Sequence, residues 1–497
     1  MNLAHIIDAH PADRVAIISR GRPTTFGVLR DQVNHLRGGL SQRGVVAGDR
    51  VVLMCSNGRY FVDMYLAVVG LGAVAVPLNP TSPAPELERE IATVGAKMVV
   101  VEPSASAAWA LIDRAMVPTV ELVVATEVGT VPGADVMFDD LLGVEPVPVV
   151  DVEADHLAVL IFTSGTAGSP RAAMLSHGNL LSNLDLVRAA GGGVGPDDVV
   201  YGVLPPFHIF GLNVVLGLSL ACGATVVLVQ RFDPSTALDT IRDRKVTVIP
   251  GAPPLWLAFS HFDDAPADSF ASVRLALTGA AKMPEEAMRR LYDKFGLVLL
   301  EGYGLTEASP VVTSSVGLPQ KVGSVGKVIS GLEVRVVDED GDDVLRGDAG
   351  EVLVRGPSVF LGYFEEPEAT AKVLDADGWL HTGDLAVTDD EGFMYLVDRA
   401  KDLIIVSGFN VYPAEVEEVL SEHPAVKEVG VVGVPHPHTG EAVKAFVVLE
   451  PGATVHEETL VTWCLDHLAR YKCPAKILFV DELPRNVSGK LLRRSLS

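Results

Sequence analysis

The sequence predicts an α/β protein: layered, largely parallel sheets followed by a small α+β module. Three observations carry that prediction. Short apolar runs alternate with segments of helical period along most of the chain, the pattern of parallel strands joined by crossover helices. At 497 residues the chain is too long for one ordinary domain and long enough for two or three. Its texture then changes twice, at Gly331, where shorter strands with acidic turns begin, and at the charged pentad Asp398-Arg-Ala-Lys-Asp402.

The N-terminal stretch Met1-Asn-Leu-Ala-His-Ile-Ile-Asp-Ala-His10 is broken by acidic and imidazole groups and has no apolar core of signal-peptide length. Strands buried on both faces need no polar alternation. Val51-Val-Leu-Met54, Ala73-Val-Ala-Val76, Met98-Val-Val-Val101 and Leu157-Ala-Val-Leu-Ile-Phe162 therefore read as buried strands, with helices over 26–42, 60–71 and 86–94. Residues 103–150, rich in Ala, Val and Pro, carry little recognisable chemistry. The uncharged stretch from Ile209 to Gln230 is long enough to span a bilayer. Gly217, Gly223 and the break at Cys222-Gly-Ala-Thr225 divide it, so it reads as a buried helix and a buried strand, Thr225-Val-Val-Leu-Val229. That leaves at most peripheral membrane contact. Glu333-Val-Arg-Val-Val337 and Glu351-Val-Leu-Val-Arg355 are strands of the second texture. Beyond the pentad, helices over 413–421 and 457–468 flank strands over 429–434 and 442–449, a compact α+β module.

Composition narrows the function. Apolar residues make up 48% and charged residues 21%, which supports a large core and argues against global disorder. Lys plus Arg number 39 against 64 Asp plus Glu, a net charge of −25, which argues against coating a nucleic acid, since phosphate neutralisation needs a broad basic face. Any phosphate site must be local. Cys55, Cys222, Cys464 and Cys473 lack zinc-ligand spacing and read as reduced thiols of a cytoplasmic protein.

The sharpest local signal is Thr163-Ser-Gly-Thr-Ala-Gly-Ser-Pro-Arg171, directly after the strand ending at Phe162. Hydroxyls at Thr163, Ser164, Thr166 and Ser169 alternate with Gly165 and Gly168, and Arg171 closes the segment. Glycine permits close backbone approach, and amide and hydroxyl donors can wrap phosphate oxygens. The spacing is not that of the P-loop, which needs a Lys-Ser/Thr pair opening a helix. Three further strings follow. Gly302-Tyr-Gly-Leu-Thr-Glu307 offers an aromatic face, a hydroxyl and a carboxylate; Trp379-Leu-His-Thr-Gly-Asp384 ends in a carboxylate at a glycine turn; Pro484-Arg-Asn-Val-Ser-Gly-Lys490 places a lysine after a flexible turn.

Each string alone is weak, but in this order and separation they make the chain resemble the adenylate-forming superfamily. That group contains acyl-CoA synthetases, firefly luciferase and the adenylation domains of peptide synthetases. The resemblance spans the chain from Gly48 to Lys490 and is greatest to the fatty acyl-CoA synthetases. It implies a large N-terminal domain, residues 1–398, of two parallel-sheet subdomains and a small β-barrel. It also implies a hinge at 399–401 and a mobile C-terminal lid, 402–497. The implied chemistry joins a carboxylate to the α-phosphate of ATP, then passes the acyl group from the adenylate to coenzyme A.

Residue roles follow from the same resemblance. Thr163, Ser164, Gly165, Thr166 and Gly168 correspond to the pyrophosphate-gripping loop, with Arg171 as its cation. Gly279, Ala280, Ala281 and Tyr303 correspond to the adenine slot. Thr306 corresponds to the α-phosphate hydroxyl and Glu307 to the carboxylate holding Mg²⁺. Asp384 corresponds to the ribose acid with Arg399 beside it, and Lys490 to the lysine bridging carboxylate, α-phosphate and ribose. Lys401 falls at the hinge, and Ser407, Gly408 and Phe409 at the pantetheine tunnel. Two departures stand out. Arg171 replaces the usual lysine with a planar fork, and Ala172 replaces a glycine.

Pro205-Pro-Phe-His-Ile-Phe-Gly211 lies where the family places one wall of its acyl site. His208 corresponds to the residue near the reacting carboxylate, and Phe207, Ile209, Phe210 and Leu212 supply apolar surface. This stretch offers no acid for a substrate ammonium and no arginine for a second carboxylate. A medium- or long-chain fatty acid is expected, since each buried methylene contributes about 0.8 kcal/mol. An aromatic acid of the coumarate class is the nearest rival, followed by delivery of the acyl group to a carrier protein. A degenerate nucleotide- or acyl-binding sensor is the non-enzyme alternative. The expected partners are ATP, a fatty acid and coenzyme A, with a homodimer allowed.

Overall fold

The buried apolar runs become the centres of two sheets. In the structure, a computed structural model, the described residues are 1–163, 171–191, 193–399, 404–406, 409–411, 413–436, 440–468, 470–485 and 491–496. They form two compact units, Met1–Glu333 with Val354–Leu380, and Val334–Leu353 with His381–Ser497.

In the first unit, one sheet has seven strands in the spatial order Val136–Met137, Leu122–Ala125, Met98–Val101, Arg50–Met54, Val74–Pro77, Leu157–Thr163 and Arg171–Ser176. All neighbours are parallel except the last pair, in which Thr163 lies opposite Arg171. Val52, Val76, Val99, Val123 and Leu160 pack into one core with Leu87 and Ile91 of the helix Ala84–Thr93. That helix begins two residues earlier than its sequence pattern suggests, because Pro85 in its first turn has no N–H to leave unpaired.

The other sheet has nine strands. Parallel strands Thr225–Leu228, Val199–Gly202, Val248–Gly251, Leu275–Thr278 and Leu299–Gly304 form its body. Beyond Leu299–Gly304 it continues as an antiparallel half-barrel through Val311–Ser314 and Lys327–Val328. The core beneath it packs Trp256 at a tilt against Phe259, and Phe270 edge-on to both Phe259 and Phe295. Asn57, at the carboxyl end of one sheet, joins it to the other: its amide reaches the carbonyls of Gly202, Leu204 and Val229 at 3.2, 3.0 and 3.2 Å.

The uncharged stretch divides at Gly223 and not at Gly217, where the helix runs on. Residues Phe210–Gly217 form a π-helix that continues as Leu218–Cys222, and Gly223 ends it in the left-handed region at φ 74° before the strand Thr225–Leu228. Among the described residues no helix is long and apolar enough to cross a membrane.

The second unit carries a four-stranded sheet, Glu333–Val337, Ala349–Arg355, Leu380–Thr388 and Met394–Arg399 in order. Its other sheet pairs Val426–His436 with Gly440–Leu449 along nearly their whole length, which is why both strands outrun their sequence-predicted bounds. Helices Pro413–Ser421 and Glu457–His467 pack against this sheet through Val416, Leu420, Leu460 and Cys464.

Candidate active site

Parallel sheets expose their functional loops at the carboxyl ends of their strands. Three strand ends of the first unit carry the residues singled out above. Thr163 closes Leu157–Thr163, and its hydroxyl donates to the carbonyl of Arg171, 3.4 Å away, so the two flanks of the glycine-rich segment are paired. Ser164, Gly165, Thr166 and Gly168 lie outside the described residues.

Gly279, Ala280 and Ala281 follow the strand Leu275–Thr278. Ala280 adopts a left-handed φ of 71°, a conformation that costs a residue with a Cβ free energy and persists only where its surroundings enforce it. A Cβ on Gly279 would stand 3.3 Å from the ring of Phe210, so the loop after the strand Leu275–Thr278 passes close to that ring. Tyr303 is 8% exposed in the strand Leu299–Gly304. Gly304 must be glycine, because a Cβ there would overlap the carbonyl of Pro310.

Thr306 and Glu307 occupy the short turn Thr306–Ala308. The turn is held from behind by two buried amides. Asn183, on the helix His177–Ala189, donates to the carbonyls of Ala308 and Val311 at 3.3 and 3.0 Å. Asn213, on the π-helix, donates to Leu180 and Ser309 carbonyls at 3.2 and 2.8 Å. The carbonyl of Glu307 accepts the Phe360 N–H at 2.8 Å, and its side-chain Oε1 accepts the Tyr363 hydroxyl at 2.7 Å. Burial and the neighbouring Glu307 push the phenol of Tyr363 above its usual range, so it remains a donor. Arg171 stacks 5.5 Å above the Tyr363 ring and donates from Nε to Glu366 at 2.9 Å.

The rings of Phe207 and His208 lie 4.9 Å apart at a tilt of 49°, while Ile209 and Leu212 are buried. Burial lowers the His208 imidazole to about 4, which keeps it neutral at ordinary pH. In the second unit, Asp384 is 8% exposed within the strand Leu380–Thr388, its N–H bound to Thr382 Oγ1 at 3.1 Å. The glycine turn expected there is instead a kink inside a continuous strand: Gly383 takes a left-handed φ of 67° while Asp384 stays paired opposite Arg399. Lys401, Ser407, Gly408 and Lys490 lie outside the described residues, as do the side chains of Arg399 and Phe409.

Sequence reasoning missed Tyr363, Glu366, Asn183 and Asn213. None sits in a motif of its own. Tyr363 stands 56 positions from Glu307, a contact only the fold creates. The asparagines had one available signal, since a polar amide in an apolar helix must find partners.

The family model of AMP-binding enzymes matches residues 3–364, and that of their C-terminal domain matches 415–490. The chain belongs to the AMP-binding enzymes. Among relatives of this AMP-binding enzyme, a long-chain-fatty-acid–CoA ligase of Bacillus subtilis is 35% identical over 97% of the chain and 91% of its own length. A feruloyl-CoA synthase of Amycolatopsis is 36% identical over 96% and 94%. The crystal structure of ATP-bound MatB from Rhodopseudomonas palustris matches this AMP-binding enzyme with a TM-score of 0.92 at 34% identity, covering 100% of this chain and 98% of that one.

Proposed function

We propose that this chain is an AMP-forming acid–CoA ligase that activates a medium- or long-chain fatty acid. The observation that carries this reading is the close approach of Gly279 to Phe210, which sets the loop assigned to the adenine beside an apolar, uncharged wall. Solved relatives hold ATP, and a long-chain-fatty-acid–CoA ligase is among the curated ones.

In the first half-reaction a carboxylate oxygen attacks the α-phosphorus of ATP, forming the acyl-adenylate as pyrophosphate leaves. In the second, the thiolate of coenzyme A attacks the acyl carbon and AMP departs. Thr163 and the loop after it would grip the leaving phosphates, Tyr303 and Gly279 would flank the adenine, and Thr306 would orient the α-phosphate. Neutral His208 can hydrogen-bond a carboxylate oxygen without forming an ion pair that would stabilise the unreacted acid. Asp384 would hold the ribose hydroxyls. The C-terminal residues 402–497, entered through a hinge at 399–401, would bring Lys490 for the first step and the 407–409 loop for the second.

Mg²⁺ fits as an ion carried by the nucleotide. Among the described residues no three ligating side chains cluster into a protein-only cage. A single carboxylate, Glu307, beside the Thr306 hydroxyl suits an ion otherwise bound by phosphates and water. When bound, Mg²⁺ supplies charge neutralisation at the phosphates.

The aromatic rival is favoured by the feruloyl-CoA synthase relative and by the phenyl rings of Phe207 and Phe210. A pyrophosphate-release panel across fatty and aryl acids, with and without coenzyme A, decides between them. Alkyl acids of medium or long chain should turn over fastest, and coenzyme A should accelerate AMP release. Preferential turnover of aryl acids would overturn the fatty-acid assignment, and indifference to coenzyme A would overturn the acceptor.

A further inference from the structure

Residues 360–366 belong to no expected motif, yet they touch both the strand that leaves the glycine-rich segment and the Thr306–Glu307 turn. We propose that Arg171 is a positioning residue and not a ligand of the triphosphate. Through Tyr363 and Glu366 it ties the exit of the glycine-rich segment to that turn, so that the two meet ATP as one piece. The proposal rests on the reading of the chain as an AMP-forming ligase, and within it gives Arg171 a role other than the one its motif implies.

The strap formed by residues 360–366 runs along the strand Arg171–Ser176. The Leu361 N–H donates to the Met174 carbonyl at 2.9 Å, the Met174 N–H to that of Gly362 at 2.9 Å, and the Phe364 N–H to that of Ala172 at 2.8 Å. Ala173 thereby lies antiparallel to Tyr363. One end of the strap holds the turn: the Phe360 N–H donates to the Glu307 carbonyl at 2.8 Å, and the Tyr363 hydroxyl to Glu307 Oε1 at 2.7 Å. The other end holds the cation. Arg171 donates from Nε to Glu366 Oε2 at 2.9 Å, with its guanidinium 5.5 Å above the Tyr363 ring. Between these contacts Glu365 takes a left-handed φ of 55°, a conformation that persists only where its surroundings enforce it. Thr370 Oγ1 does so by accepting the Tyr363 N–H at 2.9 Å and donating to the Glu366 carbonyl at 3.0 Å.

Charge and shape both favour the tie. The Arg171 side chain is 18% exposed, and the Glu366 carboxylate beside it cancels most of its field at the distance of a phosphate. A planar guanidinium can lay its face on a ring while its edge donates sideways to an acid. A lysine ammonium, a point charge on a flexible stem, offers neither face nor fixed edge. The departure from lysine at this position is therefore the one the tie needs. Glu366 is 42% exposed, and ion pairs open to solvent add little to global stability, so the effect of this pair falls on placement.

Calorimetric dissociation constants for α,β-methylene ATP with Mg²⁺ separate the two roles without turnover. Glu366→Gln keeps the shape of a half-exposed side chain and removes its charge. It should weaken binding about fivefold, the scale of one charge-assisted hydrogen bond partly open to solvent. Arg171→Gln should weaken binding by a similar factor, and the double variant no further, because both single changes cut the same tie. A phosphate ligand gives the opposite pattern: Glu366→Gln would release a cation and tighten binding, whereas Arg171→Gln would weaken it. Tighter or unchanged binding in Glu366→Gln, or additive losses in the double variant, overturns the proposal. So does a lowered unfolding midpoint with unchanged dissociation constants, which would make the pair purely structural. Should Arg171→Gln fail to fold, the sign of the Glu366→Gln effect decides alone. Failure of the wild type to bind the analogue would instead overturn the nucleotide site, and the proposal with it.

Discussion

His208 shows how burial alone assigns chemistry to a side chain. Desolvation lowers its folded value to about 4, below the ordinary value of about 6.5 kept by an unfolded chain. Between those two values the unfolded state binds the proton and the folded state does not, so stability rises with pH across that window and is lost as pH falls from about 6.5 toward 4. His208→Asn should flatten this slope by about one proton, read from denaturant midpoints at several pH values. The same neutrality predicts that the pH profile of turnover shows no His208 titration above pH about 6. A wild-type acidic limb near 6.5 in pyrophosphate release that disappears in His208→Asn would contradict it. Arg171 makes a different point: its charge was legible in sequence, but its partners were not. Glu366 and Tyr363 lie about 190 residues away along the chain, and the guanidinium is 18% exposed against them.

At the scale of elements, the π-helix Phe210–Gly217 links the aromatic wall to the Thr306–Glu307 turn through Asn213. Asn213→Ala would leave the Leu180 and Ser309 carbonyls buried without that donor, a loss of about 1–3 kcal/mol in stability by denaturant unfolding. Because Ser309 ends the turn that carries Glu307, the same change should raise the KM for ATP more than it lowers kcat. Equal effects on both would reduce Asn213 to a purely structural role. Most secondary elements were legible in the sequence for simple reasons. Phe26–Gln42, Met98–Val101, Glu333–Val337 and Pro413–Ser421 match their patterns end to end, since periodicity and flanking breaks define them locally. The strands Val199–Gly202, Val248–Gly251 and Leu275–Thr278 carry a weaker signal, because Gly202, Pro250 with Gly251, and Thr278 interrupt the apolar β-branched run that marks the others. The kink at Gly383 inside a nine-residue strand was read as a turn, since glycine signals a left-handed φ without saying whether pairing resumes beyond it. The candidate site followed the same division. Motif residues near a strand end could be named in advance, whereas the amides and phenol that position them could not.

At the scale of the whole molecule, each compact unit has a hydrophobic core of its own, the second built around Val416, Leu420, Val431 and Leu460. Bodies with separate cores keep their internal packing when they move, so relative motion between them is the default expectation. A ligase with two successive nucleophiles can use such motion to present a different set of groups to each. That division predicts separable losses. Lys490→Ala removes the ammonium expected between carboxylate and α-phosphate. It should lower adenylation by about a hundredfold or more, measured as pyrophosphate release. Conversion of supplied acyl-adenylate and coenzyme A to thioester should stay near the wild-type rate. Lys401→Pro should show the opposite selectivity if residues 399–401 are the proposed hinge, because a proline there fixes φ and penalises the second pose most. If Lys490→Ala depresses both half-reactions alike, the lysine serves one undivided site, and residues 402–497 do not exchange faces between steps.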